Sequence, residues 1–154
     1  MTIYTKHYGK IKAIAKGVRK ITSRKGGNLE LFNHCVLFLA EGKNLDIVTE
    51  AQVINSFSHL RSDLGKTADA FYIVELVDKL TPEGQGNRAV FDLLIDALRN
   101  LDIRSFEIDL LRVLGFWSDK VDRRDIKGYI EEIIEKKLKS SEFQKEVSQK
   151  YITT

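Results

Sequence analysis

The sequence predicts an α+β protein in which a small antiparallel β module over residues 1–57 precedes an α-helical module over residues 58–154. Three observations carry this. Apolar residues alternate with period two as far as Phe57, and beyond it they recur with period 3.6. A single proline, Pro82, leaves room for long regular elements.

The elements follow in order. Ile3 and Thr5 alternate with Tyr4 and Lys6, and His7-Tyr8-Gly9 supplies a turn, so residues 2–6 and 10–16 read as a hairpin. In its second strand Ile11, Ala13 and Ala15 share one face, while Lys10, Lys12 and Lys16 share the other. Gly17 to Asn28, with Gly26-Gly27, reads as a cationic loop. Strands follow at 29–40 and 45–54, split by the turn Glu41-Gly42-Lys43-Asn44. In the last strand Leu45, Ile47, Ala51 and Val53 are expected inward, with Asp46, Glu50 and Gln52 outward. A short, curved antiparallel sheet of this kind is expected to form part of a barrel.

Helical spacing then takes over. Leu60, Leu64, Ala68, Phe71, Val74 and Leu80 mark a first helix that ends at Thr81-Pro82-Glu83-Gly84. A second runs from 87 to 100 on Val90, Phe91, Leu94, Ile95 and Leu98. A third covers 103–114 on Phe106, Leu110, Leu111 and Leu114, closed by Gly115. A fourth spans 125–138, with Ile126, Ile130, Ile133, Ile134 and Leu138 inward and Glu131, Glu132, Glu135, Lys136 and Lys137 outward. The polar residues after it are expected to fray.

Composition excludes several classes. At 154 residues the chain is one domain or two very small ones. Folding at this size hides about 70% of the unfolded surface, so a core needs neither metal nor disulfide. No apolar run reaches the roughly 20 residues of a membrane span, and the first residues lack a signal-peptide core. One cysteine, Cys35, excludes an internal disulfide and a cysteine-cluster zinc site. A reducing, cytoplasmic setting is the expectation.

The net charge of +3 conceals a segregation. Residues 1–28 hold eight cations (Lys6, Lys10, Lys12, Lys16, Arg19, Lys20, Arg24 and Lys25) and no Asp or Glu. Of 25 basic and 22 acidic side chains in all, 17 and 22 remain for residues 29–154, a net of −5. Such a field points to a polyanion, because neutralising phosphates releases condensed counterions. The plainer alternative is a solvated face, and an anionic membrane surface is disfavoured because the segment is not an amphipathic helix.

Catalytic constellations are thin. His7, His34 and His59 share no metal-ligand spacing, and Gly84-Gln85-Gly86 lacks the further glycine and preceding strand of a phosphate loop. Cys35, among Val36, Leu37 and Leu39, reads as core packing. No enzyme, cofactor or metal is expected, and a binding surface remains. Lys10 and Lys12 lie about 7 Å apart along a strand, near the backbone repeat of a nucleic acid. Tyr4 and Tyr8 beside them are candidates for base stacking, the alternative being sheet packing. Arg19, Lys20, Arg24 and Lys25 extend the phosphate track.

The run Gly9-Lys10-Ile11-Lys12-Ala13-Ile14-Ala15-Lys16-Gly17-Val18-Arg19-Lys20, with Ser23-Arg24 and Leu29-Glu30-Leu31-Phe32-Asn33, resembles the N-terminal domain of the bacterial RecO family of DNA repair proteins. Gly42-Lys43-Asn44-Leu45-Asp46-Ile47-Val48-Thr49-Glu50-Ala51 is similar to that family's next hairpin, and Tyr72 to Glu83 to its first long helix. Phe106-Glu107-Ile108-Asp109-Leu110-Leu111 with Leu114-Gly115-Phe116, and Lys139-Ser140 with Phe143, continue the resemblance in order along nearly the whole chain.

The resemblance implies an OB-fold-like, incomplete barrel followed by a helical domain. It implies a non-catalytic recombination mediator, bacterial and nucleoid-associated, that binds single- and double-stranded DNA and anneals complementary strands. With RecR and single-stranded DNA-binding protein as partners, such a mediator assists RecA loading. Lys10, Lys16, Arg19, Lys20 and Arg24 are the positions carried over. Two departures accompany it: the chain starts at what resembles the family's second strand, and Trp117 to Asp125 replaces the zinc module. A barrel edge left open or closed by a partner is therefore expected, zinc is not, and contact with single-stranded DNA-binding protein is reduced. An adaptor that bridges repair proteins with little DNA affinity of its own is the alternative function.

Overall fold

The computed structural model describes residues 1–16, 27–135 and 139–152. Strands β1 (Thr2–Thr5), β2 (Gly9–Ile14), β3 (His34–Ala40) and β4 (Asp46–Asn55) precede helices α1 (Leu64–Leu80), α2 (Arg88–Asn100), α3 (Ile103–Val113), α4 (Ile126–Ile134) and α5 (Lys139–Ile152). Short 3-10 turns occupy Gly27–Leu29 and Ser58–Leu60. The α+β order expected from the change of period is thus observed.

β1 and β2 form the hairpin, in register from Thr2↔Lys12 to Thr5↔Gly9. The Thr5 hydroxyl closes its turn, accepting from the Tyr8 N–H at 3.0 Å and donating to the Gly9 carbonyl at 3.0 Å. β3 and β4 form a second antiparallel pair, and the strand order is β1-β2-β4-β3. This sheet is mixed rather than wholly antiparallel. The β3–β4 hairpin docks through its second strand, so β4 runs parallel to β2 at Ala13↔Asp46 and Ile14↔Ile47. Four strands are too few to close a barrel, and β1 and β3 are its edges among the described residues.

Two register shifts correct the inward set of β4. One lies between the Phe38↔Glu50 and Leu39↔Val48 pairs, leaving Thr49 as an extra residue, and the other leaves Ile54 extra. A bulge moves the following side chains to the opposite face. Val48 and Ala51 are consequently the buried pair, while Leu45 and Val53 are exposed.

The helices begin where short polar side chains satisfy their first N–H groups. Asp63 accepts from Lys66, Asn87 from Val90, Asp102 from Ser105 and Asp125 from Gly128. Gly115, at φ 79°, follows α3 in the left-handed conformation that favours glycine. α4 stops at Ile134, earlier than its pattern predicts, with Glu135 left-handed at its end; the expected inward Leu138 lies outside the described residues.

One core joins the helices through Tyr72, Ile73 and Leu76 of α1, Val90 and Leu98 of α2, Leu110 and Leu111 of α3, and Ile130 of α4. Phe32 and Phe57 reach into it from the β module. Leu64 and Phe71, expected inward, remain more than a third exposed, although the Phe71 ring also sits edge-on to Phe32 at 5.2 Å. The expected fraying beyond residue 139 is replaced by α5. Its Phe143 packs edge-on to Phe71 at 6.0 Å, its Val147 is buried, and the Gln144 amide donates to Asp69 at 3.1 Å.

Between α1 and α3 a polar contact interrupts the core: the Tyr72 hydroxyl donates to Glu107 Oε1 at 2.5 Å, and both residues are buried. Burial holds the Glu107 carboxyl above the usual carboxylate range, opposed by the Tyr72 hydrogen bond and by Lys127 and Arg104. The unfolded chain therefore ionises first. Stability from this group is full below the ordinary carboxylate value and is lost as pH rises through the raised one. Urea midpoints measured between about pH 4 and pH 8 will fall less steeply for Glu107→Gln than for the native chain. Glu107→Leu, which strands the Tyr72 hydroxyl, is expected to cost about 1–3 kcal/mol.

The two modules meet backbone to backbone. Gly9, at φ 65°, lies so close to the segment after α1 that an added Cβ would sit 2.0 Å from the Gln85 carbonyl oxygen. One on Gly86 would sit 2.0 Å from that of His7. Gly9→Ala is expected to lower stability by about 2–4 kcal/mol through the left-handed backbone and the clash. Gly27→Ala, with open space around its Cβ, is expected to stay within about 0.5 kcal/mol in the same titration.

Candidate nucleic-acid interface

The basic hairpin supplies the candidate surface, but its lysines do not act alike. Lys10 turns toward the helices. Its ammonium donates to the Asp78 carbonyl oxygen at 2.5 Å and stands 3.3 Å from Asp78 Oδ1, with the side chain only 12% exposed. Lys12 is exposed, and its Nζ lies 2.5 Å from Glu83 Oε1; that hydrogen bond and charge raise its pKa above the ordinary lysine value. Glu83 is held in place because the segment after α1 runs beside β2, with the Gly84 N–H donating to the Lys10 carbonyl at 2.8 Å. Two cations of the expected phosphate track are thereby paired with carboxylates from the helical module.

Lys16 is exposed, just beyond the end of β2. Arg19, Lys20, Arg24 and Lys25 lie outside the described residues.

The two tyrosines separate as well. Tyr8, at the hairpin turn, is 71% exposed and presents a free ring. Tyr4 packs against the helical core, its hydroxyl buried with no hydrogen-bond partner among the described residues, and burial raises its pKa. Of the two, Tyr8 has the accessible aromatic face that stacking requires.

Sequence reasoning missed the acids that face the hairpin, Asp78 and Glu83. It also missed a cationic neighbourhood shared by two elements. Lys6 in the hairpin turn and Arg99 of α2 both lie near enough to His34 to depress its pKa, after the larger effect of burial. His34 itself sits edge-on to Phe91 at 5.7 Å. Lys6 was visible as part of the acid-free segment; nothing in the spacing of Arg99 placed it there.

The Cys35 thiol donates to the Asn28 carbonyl at 3.1 Å, and burial pushes its pKa up, away from a reactive thiolate. Among the described residues no group of three His, Cys, Asp or Glu side chains could hold a metal ion. No helix among them is long and apolar enough to cross a membrane.

Comparison with known proteins gives the fold its relatives. Residues 1–57 match the family model described as "Recombination protein O N terminal", and residues 61–119 match "Recombination protein O C terminal". The DNA repair protein RecO of Roseiflexus sp. (strain RS-1) is 40% identical over 116 residues, covering 70% of this chain and 41% of that protein. That of Pelotomaculum thermopropionicum is 39% identical over 123 residues, covering 75% and 48%. That of Symbiobacterium thermophilum is 36% identical over 125 residues, covering 75% and 49%. The chain spans about half the length of the curated relatives it matches.

The geometry separates a docking lysine from an exposed one. Lys10→Met is expected to destabilise the chain by about 1–2 kcal/mol in urea unfolding, because it removes a largely covered ammonium from a carbonyl and a carboxylate. Lys16→Met is expected to change stability by less than about 0.5 kcal/mol.

Proposed function

The chain belongs to the RecO family, and from that premise we propose that it acts in DNA repair as a non-catalytic, DNA-binding mediator of recombination. It binds single- and double-stranded DNA through its basic segment and helps complementary strands to anneal. With RecR and single-stranded DNA-binding protein as partners, it assists the loading of RecA.

The single observation that carries this reading is the concentration of eight cations and no acids in residues 1–28, on a module whose family match is to a recombination protein. Annealing needs no reacting group. Two strands repel through their phosphates, and a surface that neutralises part of that charge lowers the cost of bringing them together. The proposed surface is Lys12, Lys16, Arg19, Lys20, Arg24 and Lys25, with the Tyr8 ring as a stacking platform. Lys10 contributes at most a partly covered charge. No donor pattern for base edges is present, so sequence preference is expected to be weak.

One observation favours a second reading. Glu83 and Asp78 occupy the two hairpin lysines most regularly placed for phosphates, which suits an adaptor that bridges repair proteins with little DNA affinity of its own. Pull-down of RecR by a chain with no measurable DNA binding would establish it.

Fluorescence anisotropy with labelled oligonucleotides distinguishes the two. The first reading predicts a logarithmic salt slope of roughly −3 to −4 on single strands, as for four to six phosphate contacts. The triple variant Lys16→Glu, Arg19→Glu, Lys20→Glu is expected to lose about tenfold or more in affinity, equally for all sequences. Glu83→Gln is expected to raise affinity about two- to fivefold and to steepen the slope by about 0.7, as Lys12 becomes available to a phosphate. Unchanged binding in the triple variant would place the DNA elsewhere.

A further inference from the structure

Three arginines of the helical module gather at one indole. Arg112 of α3 and Arg123, in the loop before α4, place their guanidinium carbons 5.5 and 5.8 Å from the centre of the Trp117 ring. Arg104, about two turns before Arg112 on α3, donates to the Arg123 carbonyl. All three arginines are exposed. The backbone beneath them is pinned: the Phe116 and Trp117 N–H groups donate to the Leu111 carbonyl at 2.8 and 3.1 Å, and the Tyr129 hydroxyl donates to the Phe116 carbonyl at 2.6 Å.

Carboxylates along the same elements are engaged elsewhere. Asp122 pairs with Arg124, Asp125 caps α4, and the buried Glu107 accepts from Tyr72. Asp109 lies 3.4 Å from Arg112. Arg104 reaches Glu107 through charge, but among the described residues neither Arg104 nor Arg123 forms an ion pair. Guanidiniums collected with so little counter-charge repel one another, and a bound anion relieves that cost.

We propose that the Arg104–Arg112–Arg123 cluster is a second contact for the phosphate backbone of single-stranded nucleic acid, distinct from the basic hairpin. A guanidinium takes a phosphate through two parallel N–H groups. Stacking on Trp117 fixes two of the planes in advance, so less side-chain freedom is lost on binding. Guanidinium and indole faces also accept unstacked bases of any sequence. Contacts on both modules let one chain hold two strands at once, which annealing requires. The choice of nucleic acid as the anion rests on the DNA-binding reading.

Trp117 is the only tryptophan in the chain, so its emission reports on this cluster alone. In a titration of the full chain with a single-stranded oligonucleotide, that emission is expected to be quenched in step with the rise in anisotropy. Arg104→Gln with Arg123→Gln is expected to lower affinity about three- to tenfold and to flatten the logarithmic salt slope by about 1.4, the share of two phosphates. In the Lys16→Glu, Arg19→Glu, Lys20→Glu variant the quench is expected to persist at higher oligonucleotide concentration. Anisotropy that rises while Trp117 emission stays constant overturns the proposal and leaves the DNA-binding reading standing; no rise at all in the native chain removes both. A poly-glutamate peptide that quenches Trp117 where the oligonucleotide does not assigns the cluster to an acidic protein and overturns the proposal as well. The emission of the native chain decides the matter alone should the arginine pair disturb folding.

Discussion

The arrangement of the two modules depends on one close approach, between the start of β2 and the segment that leaves α1. Neither backbone tolerates a Cβ at the contact: Gly9 faces the Gln85 carbonyl and Gly86 faces that of His7. Around that contact the Gly84 N–H bonds to the Lys10 carbonyl, and the Lys10 ammonium reaches Asp78. A seam of this type is short-ranged and directional, unlike hydrophobic burial, so it sets orientation as well as adhesion. Apolar contact across the module boundary is carried by few side chains, notably Phe32, Phe57 and Tyr4.

This explains what could be read from the sequence and what could not. The change from period two to period 3.6 at Phe57 marks a change of secondary structure, which is a local property. The Asp63, Asn87, Asp102 and Asp125 caps are local too, and they sit where the helices start. β4 was misread because Thr49 and Ile54 are bulged, and a bulge leaves no mark in composition. The parallel contact of β4 with β2 is long-range, as is the packing of α5 on α1. In α5 Phe143, Val147 and Tyr151, spaced by four residues, betray an apolar stripe within a polar run. The candidate site was legible to the same extent. The acid-free segment is a sequence fact, but the acids that meet it come from positions 78 and 83, about seventy residues downstream and brought there by the seam.

Charge segregated along a chain need not be segregated in space. Eight cations precede residue 29, yet two of them spend their charge on the helical module. Their pairings also differ. Lys10 is largely covered and bonded to a backbone carbonyl as well as a carboxylate, and releasing it would leave that carbonyl to find water. Lys12 and Glu83 are both more than half exposed, and exposed ion pairs exchange readily with other counter-ions. A phosphate can therefore compete for Lys12 far more easily than for Lys10, although the two are neighbours on one strand.

The order of the strands puts different side chains at the two borders of the sheet. Toward the border formed by β1 and β2, Lys12 and Tyr8 are exposed. At the border formed by β3, aliphatic and aromatic side chains are offered with no charge among them. Because β4 lies between β2 and β3, occupation of one border need not obstruct the other. The bulge at Thr49 sharpens the division. By burying Val48 and Ala51 on one face, it leaves Val36 and Phe38 opposite Gln52 and Glu50 on the other, where both are exposed among the described residues.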